Sequence, residues 1–198
     1  MFAILLFFIA IGLAYLAGSL CSAVIVCNLC KLPDPRLEGS KNPGATNVLR
    51  ISGKKYAVIV LLGDMLKGFI PVLIAKFFGA GPTFLGYMCL AAVLGHIYPK
   101  FFDFKGGKGV ATALGALFGL YWVLGVIACV IWLLVAVVTR YSSLASIVTW
   151  SIIPILTPFY PESSGAFLPI LVMSFFVLYQ HRDNFIRLQK KEESKIGF

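Results

Sequence analysis

The sequence predicts an all-α integral membrane protein of about seven transmembrane helices, several of them short, with the N-terminus outside and the C-terminus inside. Three observations predict it. Sixty per cent of the 198 residues are hydrophobic and only 13% are charged, about half the charge of a soluble domain. The apolar residues fall in runs long enough to cross a bilayer rather than in short core segments. Most of the cations fall in alternate connecting loops, as expected when basic segments stay on the cytoplasmic side.

The first apolar run, Phe2–Leu29, has no basic segment before it and is too long for a cleavable leader, so it reads as the first span. Tyr56–Phe78, Thr83–Tyr98, Ser143–Pro158 and Gly165–Gln180 follow as further spans. Between them, Val110 to Thr139 runs 30 residues without a charge. As one helix it would be about 45 Å long, against a hydrocarbon core of about 30 Å. Charge decides how it is divided. Segment 31–55 carries six Lys/Arg, segment 99–108 carries three and the tail five, while 79–82 and 159–165 carry none. Only if 110–139 passes twice, turning near Gly119–Trp122, do all the basic segments, with Arg140, reach one side. One membrane-embedded domain over 1–198 is expected, with polar segments 31–55, 95–112 and 181–193 on the cytoplasmic face.

Net charge +9 does not indicate nucleic acid, because the cations lie between spans and not on one soluble face. Cys27 and Cys30 form a CxxC with neither a second Cys pair nor a nearby His, so no metal and no cofactor is expected. Cys21, Cys27, Cys30, Cys89 and Cys129 read as small buried hydrophobes. Asp64 and Lys67 lie one helical turn apart inside the second span. Each costs about 2.5–3.5 kcal/mol if it faces lipid, so they should face inward and pair.

Three polar clusters stand out. The first is Gly39-Ser40-Lys41-Asn42-Pro43-Gly44-Ala45-Thr46-Asn47-Val48-Leu49-Arg50. Thr46 or Asn47 would cap a short helix that carries Asn47 and Arg50 on one face. Arg50 can hold a phosphate through two parallel N–H bonds. In the second, Gly95 to Thr112, the glycines Gly106, Gly107 and Gly109 flank Lys108 just before an apolar helix. That presents backbone N–H groups and a cation to an anion. It is not a P-loop, since Phe102 stands five before Gly107 and no Ser or Thr follows Lys108. In the third, His181 and Asn184 share a helix face beside Arg182 and Arg187. No HxxxxD pattern occurs, because Phe101 lies five after His96 and Ile186 five after His181.

Together the clusters resemble the PlsY family of bacterial membrane acyltransferases. Gly39 to Arg50 is similar to GSxNxGxTNxxR, Gly95 to Thr112 to GHxxPxFxxFxGGKGVAT, and His181 to Glu193 to HRxNIxRLxxGxE. Phe185 departs from the Ile of the third pattern, and Lys191 from its Gly. The resemblance implies transfer of an acyl group from acyl phosphate to the sn-1 hydroxyl of glycerol 3-phosphate, giving lysophosphatidic acid and phosphate. It implies no cofactor. Partners would be glycerol 3-phosphate, acyl phosphate from the bilayer, membrane lipid and the soluble enzyme that supplies acyl phosphate. Ser40, Arg50, Lys108, His181 and Asn184 become the catalytic set. Gly39, Asn42, Gly44, Thr46, Asn47, His96, Gly106, Gly107 and Gly109 become the phosphate-binding set, supported by Asp64 and Lys67. The general base is either His181 or the phosphate of glycerol 3-phosphate itself. A phosphate or phospho-ester transporter is the alternative reading. It requires polar clusters on both membrane faces and an internal repeat, and the sequence carries neither.

Overall fold

The computed structural model describes residues 2–197, and all the regular structure in it is helical. The helices are α1 (Phe2–Gly18), α2 (Ser22–Leu29), α3 (Ala45–Ser52), α4 (Lys54–Phe77), α5 (Pro82–Ile97), α6 (Val110–Leu120), α7 (Trp122–Thr139), α8 (Ser142–Leu156), α9 (Pro161–Ser164), α10 (Phe167–Gln180) and α11 (Arg182–Gln189). Four apolar segments are long enough to cross a membrane: α4, α7, α5 with the 3₁₀ turn after it, and α8 with its own 3₁₀ turn. The bent pair α1 and α2 makes a fifth, and α6 and α10 are shorter apolar helices.

Two breaks shape the bundle. The expected single helix over Phe2–Leu29 is divided, because α1 and α2 meet at 44°. Ser19 to Cys21 interrupt the ladder, and the Leu20 carbonyl freed there accepts a 2.6 Å hydrogen bond from Lys67 Nζ. The break therefore has a built-in partner, as a freed carbonyl inside a membrane requires. The second break is Tyr121, extended at φ −152°, where the 110–139 run divides into α6 and α7.

The core is assembled from large apolar side chains on α5, α6, α8 and α10. Leu117, Leu120, Trp150, Ile153, Ile170 and Met173 are fully buried. Apolar side chains also cover the outside: Leu134 is 62% and Val138 80% exposed on α7. Such a surface is stable only against hydrocarbon chains. The α4–α6 crossing depends on small residues. A Cβ at Gly68 would collide with the Thr112 carbonyl, and one at Gly115 with the Met65 carbonyl. The two backbones are therefore in direct contact, as at small-residue interfaces between membrane helices.

The basic connections gather at one end. Thr46 meets Ser142 at 3.3 Å, Arg50 reaches Ser194, and Ile196 bonds Arg140. At the other end the Tyr121 and Tyr160 rings lie 5.5 Å apart, and Lys76 Nζ donates to the Leu120 carbonyl at 2.8 Å. Of the five cysteines, Cys21, Cys27 and Cys89 are buried and Cys129 half-buried, but Cys30 is exposed just past the end of α2.

Candidate active site

The first polar cluster folds as a loop leading into α3. Its cap differs from the expectation: the residue before the helix is Gly44, with extended backbone and no side-chain cap, and Thr46 lies inside the first turn. Asn47 and Arg50 also part company. Asn47 is buried. Its Oδ1 accepts the Ser40 N–H at 2.8 Å, and its Nδ2 donates to the carbonyls of Pro35 at 2.9 Å and Glu38 at 3.0 Å. Both amide hydrogens are spent, so Asn47 shapes the 35–40 loop and presents Ser40. Gly39 packs against that same amide, and a Cβ at Gly44 would stand 3.1 Å from Asn42 Nδ2. Ser40 itself is exposed. Arg50 is exposed and turns the other way, donating to the Ser194 carbonyl at 3.1 Å. Among the described residues it makes no ion pair.

The second cluster is braced from below. Asp64 and Lys67, expected to pair, do so at 2.8 Å. His96 extends that pair, with Nδ1 3.6 Å from Asp64 and 3.1 Å from the Thr112 hydroxyl. The His96 carbonyl accepts the Gly107 N–H at 3.1 Å. A Cβ at Gly107 would strike the His96 ring and come 3.1 Å from the Pro43 carbonyl, so the first two clusters meet across this residue. A Cβ at Gly106 would meet the His96 carbonyl. Gly109 takes φ +87° at the start of α6, a conformation that costs glycine little. His96 is thus 5% exposed and packed under the loop, a place distinct from the direct phosphate contact expected of it.

Lys108 rises from this loop to donate to Asn184 Oδ1. Asn184 Nδ2 donates to Glu193 Oε1 at 2.7 Å, Ser143 Oγ donates to the same oxygen at 2.7 Å, and Arg187 Nε donates to Glu193 Oε2 at 2.7 Å. Burial raises the Glu193 carboxyl, but these three hydrogen bonds outweigh it and hold it below its usual range. Burial pushes Lys108 down to about 8, with Glu193 opposing the shift and Arg187 and Arg50 reinforcing it. His181 is buried, and its Nδ1 lies 2.8 Å from the Val177 carbonyl. A carbonyl only accepts, so Nδ1 carries the hydrogen, and in the neutral ring Nε2 keeps its lone pair. Burial, and then the charge on Lys108, lower His181 to about 4.

Ser143 and Glu193 join the site without having been singled out from the sequence, and Arg187, read there only as a flanking cation, joins through Glu193. Glu193 closes the third pattern, and that was its only signal. Ser143 sits in the first turn of an apolar helix, where a serine usually just serves the helix end. Among the described residues no group of three metal-type ligands occurs. Among the described residues the arrangement is two cations without carboxylate ion-pair partners, a glycine loop and a neutral His held in one tautomer. It can hold phosphate and align an acyl transfer, and it contains no side-chain nucleophile set against a base.

The glycerol-3-phosphate acyltransferase family model matches residues 8–191. A glycerol-3-phosphate acyltransferase of Legionella pneumophila strain Philadelphia 1 is 51% identical over 196 residues, covering 99% of this chain and 70% of that protein. One from Methylococcus capsulatus strain Bath is 49% identical over 187 residues, covering 94% of both. The fold is similar to a crystal structure of PlsY (YgiH), an integral membrane glycerol 3-phosphate acyltransferase, in its glycerol 3-phosphate form. The TM-score is 0.90 at 41% identity, covering 96% of each chain. The lysophosphatidic acid form of PlsY gives 0.88 at 40% identity, covering 96% of this chain and 95% of that one.

Proposed function

The chain belongs to the glycerol-3-phosphate acyltransferase family, and from that premise we propose that it moves a fatty acyl group from acyl phosphate to the sn-1 hydroxyl of glycerol 3-phosphate. The hydroxyl oxygen attacks the acyl carbon, the bond from that carbon to the phosphate oxygen breaks, and inorganic phosphate leaves with 1-acylglycerol 3-phosphate as product. The observation that carries this reading is Lys108, a half-buried cation with only an amide oxygen for a partner. Glu193 is near enough to oppose the effect of burial, but a desolvated ammonium bonded directly to a neutral amide still favours an arriving anion, and both substrates are phosphate anions.

Each residue has a role in this reading. Lys108 and Arg50 neutralise phosphate, with the N–H groups of the Gly106–Gly109 loop beside them. Ser40, presented by Asn47, offers a hydroxyl at the loop edge. Asn184, with its oxygen on Lys108 and its nitrogen on Glu193, fixes the ammonium and so acts through it. His181 presents Nε2 to the reacting oxygen. At about 4 the ring is a weak base at neutral pH, which supports the alternative in which the substrate's own phosphate takes the hydroxyl proton. Acyl phosphate is already an activated donor, because its phosphate leaves readily, so alignment and charge stabilisation suffice. The distribution of cations supports a site that faces the cytoplasm, and the bacterial relatives support an inner-membrane location, where a soluble enzyme would deliver the acyl phosphate.

Purified protein in detergent, supplied with palmitoyl phosphate or palmitoyl-CoA, tests the donor. Phosphate release that requires glycerol 3-phosphate, with the CoA ester inert, is the expected result. Turnover of the CoA ester alone would overturn the donor assignment.

A further inference from the structure

Past α11 the chain folds back over the polar end of the bundle as a strap, residues 192–197. Ile196 is its fastening point. Its N–H donates to the Arg140 carbonyl at 2.7 Å, and its own carbonyl accepts from Arg140 Nη2 at 3.3 Å, so one residue grips it from both sides. Its side chain, 6% exposed, is buried with Ala136 and Ala145, against Leu49 and Trp132. Two residues back, the Ser194 carbonyl receives Arg50 Nη2 at 3.1 Å. Arg50 and Ile196 then line a cavity of about 260 Å³ together with Thr46, Leu49, Gly53 and Lys54.

The chemistry of that partner matters. Arg187 is held by the Glu193 carboxylate and Arg36 by the Asp34 carboxylate, so both charges are answered. Arg50 is held by a neutral carbonyl. A carbonyl fixes a long side chain without cancelling its charge, and a guanidinium has further N–H donors for a second acceptor. Ordering the side chain in advance removes the entropy that phosphate binding would otherwise lose.

Building on the reading of Arg50 as a phosphate ligand, we propose that Ile196 is a positioning residue for it. Clamped by Arg140, Ile196 sets the Ser194 carbonyl where it aims the guanidinium at the cavity, its charge left free for a phosphate-bearing substrate. Ile196 acts through Arg50: its side chain is buried against Ala136 and Ala145 and carries no group that could bind phosphate.

The experiment uses the full chain with Ile196→Ser, which loosens the fastening, Arg140→Gln, which removes the side-chain half of the clamp, and Ile196→Leu as the conservative control. The readouts are kcat, the KM values for glycerol 3-phosphate and acyl phosphate, and the thermal midpoint. A positioning role predicts that Ile196→Ser and Arg140→Gln each raise one of the two KM values about tenfold, with kcat within about twofold, because substrate binding is what suffers. Ile196→Leu should keep both KM values, and the midpoint of Arg140→Gln should stay at that of the parent. Unchanged KM values in both loosening variants would overturn the proposal, as would losses of kcat alone that follow a falling midpoint. If Ile196→Ser does not fold, Arg140→Gln decides alone by the same criteria. A parent enzyme without acyl transfer would instead refute the underlying reading of the site.

Discussion

Lys108 lies near enough to His181 for its charge to act on the ring, and both are displaced by the same main cause, burial, so pH should separate their effects. With Lys108 at about 8, the ammonium that holds phosphate is lost above that pH, and kcat/KM should fall along an alkaline limb near 8. Stability moves the other way. Between about 8 and the ordinary lysine value the unfolded chain binds more protons than the native one, so stability rises with pH there. A thermal midpoint that holds or climbs while activity falls is the expected signature. At the acid end, His181 at about 4 stays neutral in the native state while it charges in the unfolded chain, so stability is lost as pH drops from about 6.5 toward 4. His181→Gln should keep substantial activity and the same acidic limb if the substrate phosphate is the base. Abolition of that limb would assign the base to His181. Lys191 supplies a further test. It has φ +59°, where a non-glycine residue costs about 1–2 kcal/mol, and it occupies the position of the glycine in the third pattern. Lys191→Gly should raise the thermal midpoint by about 2–4 °C.

Elements were legible where composition governs them and obscure where a distant partner does. The breadth of the apolar runs located α4, α5, α8 and α10 to within two residues, and charge balance required the turn found at Tyr121. The break after Gly18 was hidden, because Ser19 to Cys21 looks like ordinary span sequence and the group that makes the break tolerable, Lys67, lies 47 positions away. Asn47 was misassigned for a similar reason. Its identity suits a phosphate, and only the fold reveals that Pro35 and Glu38 claim its hydrogens. The inward pairing of Asp64 with Lys67 was readable, because lipid exposure of either is so costly. Asp64→Ala leaves Lys67 buried beside the loop support and should destabilise by about 3–5 kcal/mol, measured as a loss of thermal midpoint. Replacing both with Met should cost much less. At the α4–α6 crossing, Gly115→Val drives a branched side chain at the Met65 carbonyl and should destabilise by at least about 1–3 kcal/mol. Alanine there should be milder in degree but of the same sign.

At the scale of the whole molecule, the sequence separates greasy spans from polar loops, and the fold collects the loops at one end. Lys108, Asn184, His181 and Arg50 arrive there from three separate segments, and neither Lys108 nor Arg50 is positioned by its own segment alone. Lys108 depends on α11, Arg50 on the strap, and the glycine loop on His96 and the Asp64–Lys67 pair beneath it. Motif composition made the candidate set legible. The division of labour within that set, between residues that face an anion and residues that hold those residues still, was not, because it is written in contacts between segments far apart in the chain. The most direct test of the account is a stoichiometry. Purified protein is given palmitoyl phosphate and labelled glycerol 3-phosphate, and inorganic phosphate and labelled lysophosphatidic acid are followed in the same reaction. The account predicts that the two appear together, one for one, and that Lys108→Ala abolishes both. Phosphate released without labelled lipid, or labelled lipid formed without phosphate release, would contradict it.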